Sequence, residues 1–192
     1  MENIVLTLES KNQLKEYVNG SRLSRCEQAV LDDILVAIEK SNCEQLDWFD
    51  GFGNSIRSIL MNVHAYRKGL EFGFSEIAFD KYGWLSRRQF LDAEDIKLDA
   101  SVIHLGRGIN NIWTYGMNHN FGLAGGGYGL SVYGKQFQSR KDALACALAE
   151  LKQMMTDKIG DSDTSNYKQP TIIATIKAID QQLVGLVQLS LF

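Results

Sequence analysis

The sequence predicts an α+β fold with a mainly helical N-terminal half, a small antiparallel sheet followed by a helix, then a linker and a C-terminal tail. Up to about residue 100, apolar side chains recur at helical spacing, whereas residues 101–134 alternate apolar and polar side chains between Gly-rich breaks. A hydrophobic content of 45% over 192 residues is sufficient for a core. We therefore assign residues 1–156 to a single globular body, with helices in 10–100 and the sheet plus helix in 101–156.

The N-terminal elements begin with a β-branched run over 3–9, which predicts a first strand. A short helix follows over 10–17. Ser24 then begins a stronger helix that continues to about Lys40, where apolar side chains fill a broad face. That width predicts a helix that packs on more than one side.

The "DGFGNS" stretch interrupts the helical pattern, and Ser55 has the character of an N-cap. The helix after it extends to about Lys68 and buries a stripe of Ile56, Leu60 and Val63. Two further short helical pieces are predicted over 75–82 and 86–93.

The second half changes to strand patterns over 101–106, 111–118 and 128–134, with a Gly-rich hairpin loop over 121–129. Known phosphate cradles need a helix directly after the Gly-rich loop. A strand is predicted there instead, so the pattern indicates a hairpin and not a nucleotide site.

A capping box, Ser139 with Asp142, predicts the start of the next helix. The apolar stripe of this helix consists of Leu144, Leu148, Leu151 and Met155. The polar segment 157–170, which contains the only Pro in the chain, has the composition of a linker. Residues 171–192 then form an amphipathic segment, in which an apolar stripe at helical spacing comprises Ile172, Ile176, Ile179 and Leu183.

Charge and composition exclude several classes of protein. The net charge of −3 does not fit a chain that coats nucleic acid by bulk electrostatics. The three cysteines form no C-x-x-C pair, and the three histidines lack metal-ligand spacing, so no metal or other cofactor is expected. The sequence contains neither a signal-peptide pattern nor an apolar run of membrane-spanning length, and we expect a cytoplasmic protein without a membrane partner.

The last five residues of the sequence are Gln188, Leu189, Ser190, Leu191 and Phe192, or "QLSLF". This pentapeptide resembles, at all five positions, the consensus peptide by which bacterial polymerases, repair proteins and regulators dock on the β sliding clamp. The resemblance implies that the clamp is a partner and that these five residues bind it. It implies an accessory protein that acts in or against DNA replication or repair, or in phage or mobile-element biology.

The chemistry of the five residues agrees with a docking peptide. A Gln amide offers a donor and an acceptor, while a Leu-Phe pair provides apolar anchors for a pocket. The alternative is an interaction or inhibitor domain whose tail packs Leu191 and Phe192 into its own body. Removing residues 188–192 from such a domain would lower its melting temperature.

A second alternative is a small metal-dependent nuclease delivered by the same tail. Asp95, Ile96 and Lys97, with Asp80 upstream, have the acidic-x-Lys spacing of such enzymes. The motif is expected on an apolar strand, whereas its surroundings here are charged, and the sequence favours a protein that is not an enzyme. Candidates for nucleic-acid contact are basic residues of the helical half: Arg57, Arg67, Lys68, Arg87 and Arg88.

Overall fold

The structure is a computed structural model that describes residues 6–188, with side chains to residue 186. The chain divides into two compact units, one ending at Arg87 and the other beginning at Arg88. Each unit has its own cluster of buried apolar side chains. The division falls within the stretch 1–156 that the sequence pattern assigns to one body.

The first unit contains four helices: α1 (Lys11–Gly20), α2 (Arg25–Glu39), α3 (Cys43–Asp50) and α4 (Ile56–Leu70). The helices predicted after Ser10, Ser24 and Ser55 are confirmed, and Ser24 and Ser55 each cap their helix through a capping box. Helix α3 was not predicted, because its eight residues are too few to show a period. Asn42 caps it through the backbone N–H of Gln45.

The core of the first unit lies between α1, α2, α3 and α4. Its fully buried members include Leu14, Leu31, Ile34, Phe49, Phe52, Leu60 and Val63. The broad apolar face predicted for α2 is confirmed, since α2 contacts α1, α3 and α4. The first strand, predicted over 3–9, is wrong where the structure describes it, because residues 6–10 are irregular and end in a turn. Residues 3–5 of that predicted strand lie outside the described residues.

No helix forms over 75–82, because this stretch folds back as a turn instead. Phe79 and Leu85 form an isolated antiparallel bridge, which ties the two ends of the turn together. The Asp80 carboxylate accepts hydrogen bonds from the backbone N–H groups of Tyr82 and Trp84. Such side-chain bonds to nearby backbone offer an alternative to a helix, and we call residues 79–85 the braced turn.

The braced turn is attached to α4 by one buried amide. Asn62 donates to the carbonyl groups of Phe52 and Gly83 at 2.7 and 2.9 Å. Its side-chain oxygen accepts from the N–H of Leu85 at 2.9 Å. Because Asn62 is almost completely buried, three of its four hydrogen-bonding positions are used inside the unit.

The second unit begins with a four-stranded antiparallel sheet in the order β1 (Leu91–Leu98), β2 (Ser101–Arg107), β3 (Trp113–Asn120) and β4 (Gly125–Tyr128). The predicted strands at 101 and 111 are confirmed. The helix predicted over 86–93, and helical structure up to residue 100, are wrong, because residues 91–98 form a strand that pairs with β2. The Gly-rich stretch is partly strand, since Gly125, Gly126 and Gly127 pair with β3.

The strand predicted over 128–134 is also absent beyond Tyr128, where the chain turns. Helix α5 (Arg140–Thr156) begins at the predicted cap, with the Ser139 side chain accepting from the N–H of Asp142. Helix α6 (Gln169–Gln188) follows and packs on α5. The core between these helices and the sheet includes Ile103, Leu105, Met117, Leu144, Leu148, Leu151, Met155, Ile172 and Ile179.

The Asn62 bonds predict a large effect of a single substitution. Asn62→Ala should lower the free energy of unfolding of the first unit by roughly 2 to 4 kcal/mol, because it leaves two carbonyl groups and one N–H without their partner. Chemical denaturation followed by tryptophan fluorescence measures this loss. The exposed Asn54→Ala serves as the control and should change stability by less than about 0.5 kcal/mol. Equal effects of the two substitutions would contradict the role assigned to Asn62.

Candidate functional site

The element that leads to the predicted docking peptide is α6, and its first half is anchored in the core of the second unit. Ile172, Thr175 and Ile179 are fully buried. Lys152 of α5 donates to the Asp180 carboxylate at 2.6 Å. The predicted apolar stripe of this segment is therefore confirmed, and it holds the helix on α5 and the sheet.

The segment before α6 is also attached to the sheet. Lys168 N–H donates to the carbonyl of Phe121 at 2.7 Å, and the N–H of Ala124 donates to the carbonyl of Asn166 at 3.1 Å. The Tyr167 ring packs edge-on against Phe121 at 5.6 Å. The stretch 157–168 thus has the polar composition of a linker but is fastened to the β3–β4 hairpin, so it is not a free tether.

The packing of α6 weakens toward its last turns. Leu183 and Leu186 still pack partly on the core. Both are half-buried, whereas the core-facing residues of the first half of the helix are fully buried. Gln188 is the last residue of the helix. Leu189, Ser190, Leu191 and Phe192 lie outside the described residues, so the proposed docking segment begins where α6 ends.

The basic residues of the first unit do not form one patch of unpaired cations. Arg67 pairs with Asp33 at 2.7 Å, and Lys68 pairs with Glu71 at 2.8 Å. Arg57 is exposed and forms no salt bridge among the described residues. Two of the five candidates for nucleic-acid contact are therefore engaged in ion pairs on their own unit.

The remaining two candidates, Arg87 and Arg88, follow the braced turn. Arg87 is exposed, whereas Arg88 is half-buried. They stand on either side of the division between the two units.

A groove of about 1070 Å³ lies between the braced turn and the start of α4. Tyr82, which is 73% exposed, and Trp84 contribute aromatic faces to this groove. Arg57 and Lys81 contribute cations, and the Lys81 ammonium lies 4.9 Å from the centre of the Tyr82 ring. Asp50 adds a carboxylate that accepts the N–H of Leu6. Aromatic faces beside cations are features of single-strand binding sites, and here they accompany an acidic group.

The acidic residues of the candidate nuclease motif are bonded to protein groups and are not gathered as metal ligands. Asp95 lies on β1, where its carboxylate bonds the Nδ1 atom of His104 at 2.6 Å. The other ring nitrogen of His104 bonds the Asn118 amide at 3.0 Å. The three side chains form a row across β1, β2 and β3 in which both nitrogens of the imidazole have partners. The Asp80 carboxylate accepts backbone N–H groups within the braced turn. Asp80 and Asp95 therefore each bind a different set of protein groups.

A second group of polar side chains, not predicted from the sequence, gathers around Glu150 on α5. Its carboxylate accepts from the hydroxyl groups of Tyr115 and Tyr128 at 2.7 and 2.8 Å, and from the ammonium of Lys135 at 2.7 Å. These residues line a pocket of about 430 Å³. Because they come from β3, β4, a loop and α5, the group joins the sheet to the helix.

The protonation of this group is fixed near neutral pH. Burial and the hydrogen bond to Glu150 raise the pKa of Tyr115 and of Tyr128. Burial also raises the pKa of Glu150, but the hydrogen bonds from Lys135, Tyr115 and Tyr128 outweigh it and hold the pKa below the ordinary 4.5. The hydrogen bond to Glu150 raises the pKa of Lys135. These hydrogen bonds tie the sheet to α5 through one charged acceptor.

Comparisons with protein-family models, with curated proteins and with solved structures each found no match. Within residues 6–188, no three side chains of His, Cys, Asp or Glu gather as metal ligands. The helices of that same stretch include none with the length and apolar character needed to cross a bilayer.

The Glu150 network predicts a dependence of stability on acid pH. Glu150→Gln should lower the free energy of unfolding at neutral pH by about 1 to 3 kcal/mol, because it removes a charged acceptor from three donors. Since the folded pKa lies below 4.5, the stabilisation is present above that value and is lost as the pH falls through the folded pKa. The difference in free energy of unfolding between wild type and Glu150→Gln should therefore become smaller at acid pH.

Thermal unfolding followed by circular dichroism over a pH series measures this difference. Asp99→Asn is the matched control, because Asp99 is an exposed carboxylate at a turn with a φ of 56°, which Asn tolerates. A difference for Glu150→Gln that is unchanged in acid would contradict the network.

Proposed function

We propose that this protein is an accessory factor recruited to the bacterial DNA sliding clamp through the peptide Gln188, Leu189, Ser190, Leu191 and Phe192. It acts in or against DNA replication or repair, including in phage or mobile-element biology. The observation that carries the proposal is the match of "QLSLF" to the clamp-docking consensus at every position. Common residues each occur at a frequency of roughly 5 to 10%. At such frequencies, five specified residues would coincide by chance in about one chain in 10⁶.

The anchoring of α6 supports this proposal. A docking peptide needs a base that is held in place, so that binding of the peptide positions the rest of the protein. Ile172, Thr175 and Ile179 provide that base, and the half-buried Leu183 and Leu186 belong to the part of the helix that is less tightly held. Because 157–168 is fastened to the hairpin, docking would also position the second unit relative to the clamp.

The expected affinity is moderate. Burying Leu189, Leu191 and Phe192 would contribute roughly 1.5 to 3 kcal/mol each, and fixing the backbone of the five residues costs about 1 to 2 kcal/mol each. The two sums nearly cancel, so the net affinity comes from the polar contacts of the peptide, and we expect binding no tighter than roughly micromolar. A peptide of this strength recruits a protein reversibly.

Reversible docking has a consequence that does not depend on any activity of the folded body. One clamp pocket holds one such peptide at a time, so this protein would compete with polymerases and repair proteins for it. The exposed Arg57 and the aromatic groove beside it provide a surface through which the first unit would contact DNA or another protein near the clamp.

The first prediction of this proposal concerns the apolar anchors. The full chain should bind a purified bacterial sliding clamp, and the double variant Leu191→Ala and Phe192→Ala should lose that binding, because the side chains that fill the pocket are removed. Isothermal calorimetry or fluorescence polarisation measures both proteins. Loss of two buried anchors, each worth roughly 1.5 to 3 kcal/mol, corresponds to at least about a hundredfold weaker binding.

A matched control removes two exposed apolar side chains elsewhere in the second unit. Leu123 and Ile159 are 76% and 54% exposed, and the double variant Leu123→Ala and Ile159→Ala should bind the clamp like wild type. Binding that survives the loss of Leu191 and Phe192, or no binding by either protein, would refute recruitment through the peptide.

A second prediction separates docking from a structural tail. Removing residues 188–192 should abolish clamp binding and leave the melting temperature within about 1 °C of wild type, as expected for a peptide that serves a partner and not the fold. Differential scanning calorimetry of the truncated and full chains measures this. A drop of several degrees would favour the alternative in which Leu191 and Phe192 pack into their own body.

A further inference from the structure

Helix α6 has an exposed stripe that carries an apolar side chain near each end, and neither of these two side chains is covered by another part of the described chain. Ile173 and Val184 are 58% and 56% exposed. They share one shallow depression with a half-buried Ile and three exposed polar residues, namely Ile176, Lys177, Asp180 and Gln181. The buried stripe of Ile172, Thr175 and Ile179 lies on a different face of the helix. Helix α6 therefore has one face in the core and another that is exposed.

The order of residues on this exposed stripe is symmetrical. Ile173, Lys177, Asp180 and Val184 are spaced by four, three and four residues, the spacing of a seam between two paired helices. The midpoint between Ile173 and Val184 is also the midpoint between Lys177 and Asp180. An apolar residue therefore stands at each end, and two opposite charges stand in the centre.

We propose that this stripe pairs with the same stripe of a second copy of the chain, as two antiparallel α6 helices related by a two-fold axis. In that register Ile173 lies opposite Val184 of the other copy, and Lys177 lies opposite Asp180. The rotation generates each contact twice, as an isologous interface requires. Two reciprocal ion pairs then occupy the centre of the seam between two apolar contacts.

The charges at the centre select the antiparallel orientation. Parallel pairing would place Lys177 against Lys177 and Asp180 against Asp180, which is repulsive. Lys177 forms no salt bridge among the residues that the structure describes, so its ammonium is available for a partner. Asp180 already accepts from Lys152 through Oδ1, whereas its Oδ2 accepts no hydrogen bond within the same residues.

The size of the stripe sets the strength of the pair. A single helix-to-helix contact of about 17 Å, which is the rise between residues eleven apart, lies at the small end of specific interfaces, under roughly 1,200 Å². The dimer is therefore weak and forms at high protein concentration or where the protein is gathered on a common partner. Ionic strength should weaken it, since half of the seam is charged.

Pairing has a consequence for recruitment, and this step rests on the proposed function. Gln188 lies between nine and ten residues from the two-fold axis, or about 14 Å along the helix. The two docking peptides would thus begin about 28 Å apart at opposite ends of the helix pair. A dimer with two peptides engages two clamp pockets with higher avidity when both are within reach.

Charge reversal tests the pairing in the absence of any clamp. Sedimentation velocity of the full chain at low salt should show a monomer–dimer equilibrium. In Lys177→Glu, the new carboxylate faces Asp180 of the other copy at both central positions. In Asp180→Lys, the new ammonium group faces Lys177 of the other copy at both positions. Each variant alone should therefore remain monomeric. An equal mixture of the two variants should dimerise, because every carboxylate at the centre of the seam then faces an ammonium group of the other variant.

Two controls account for changes in net charge and in folding. Lys141→Glu changes the net charge by the same amount as Lys177→Glu but lies on α5, and it should dimerise like wild type. Lys152→Ala removes the ion pair within the chain that Asp180→Lys also loses, and it should dimerise too. A wild type that stays monomeric at every concentration, a dimer unaffected by either reversal, or a mixture that does not associate would overturn the proposal. None of these results depends on whether "QLSLF" binds a clamp.

Discussion

The packing of α6 on α5 and the sheet is the interaction that places both proposed binding surfaces. Ile172, Thr175 and Ile179 are fully buried in the core of the second unit, and the bond from Lys168 to Phe121 fixes where the helix begins. One helix therefore carries a face for the core, an exposed stripe, and an end that leads into the proposed docking peptide. Loosening its base would disturb all three.

The elements with a long period or a strong cap were predictable from the sequence. Helices α2, α4 and α5 begin directly after their N-caps Ser24, Ser55 and Ser139, where local bonds between the cap side chain and the backbone decide the start. The stripe of α6 was predictable because its apolar residues recur at helical spacing. These signals are local, so neighbouring residues are enough to reveal them.

The errors arose where distant contacts decide the structure. The charged stretch at Asp95 becomes a strand because β2 offers it a partner, which its own residues do not indicate. The braced turn depends on Asn62, more than twenty residues away from Leu85. The network of Glu150 joins four elements, and its members Tyr115 and Glu150 lie 35 residues apart.

The proposed function assigns recruitment to one short peptide, which follows a helix anchored in the second unit. The most direct test is competition on a purified bacterial sliding clamp that carries a fluorescent clamp-binding peptide of another protein. The full chain is expected to displace this peptide completely, whereas the chain with Leu191→Ala and Phe192→Ala is not. Failure of the full chain to displace the peptide, with or without binding elsewhere on the clamp, would contradict the central claim.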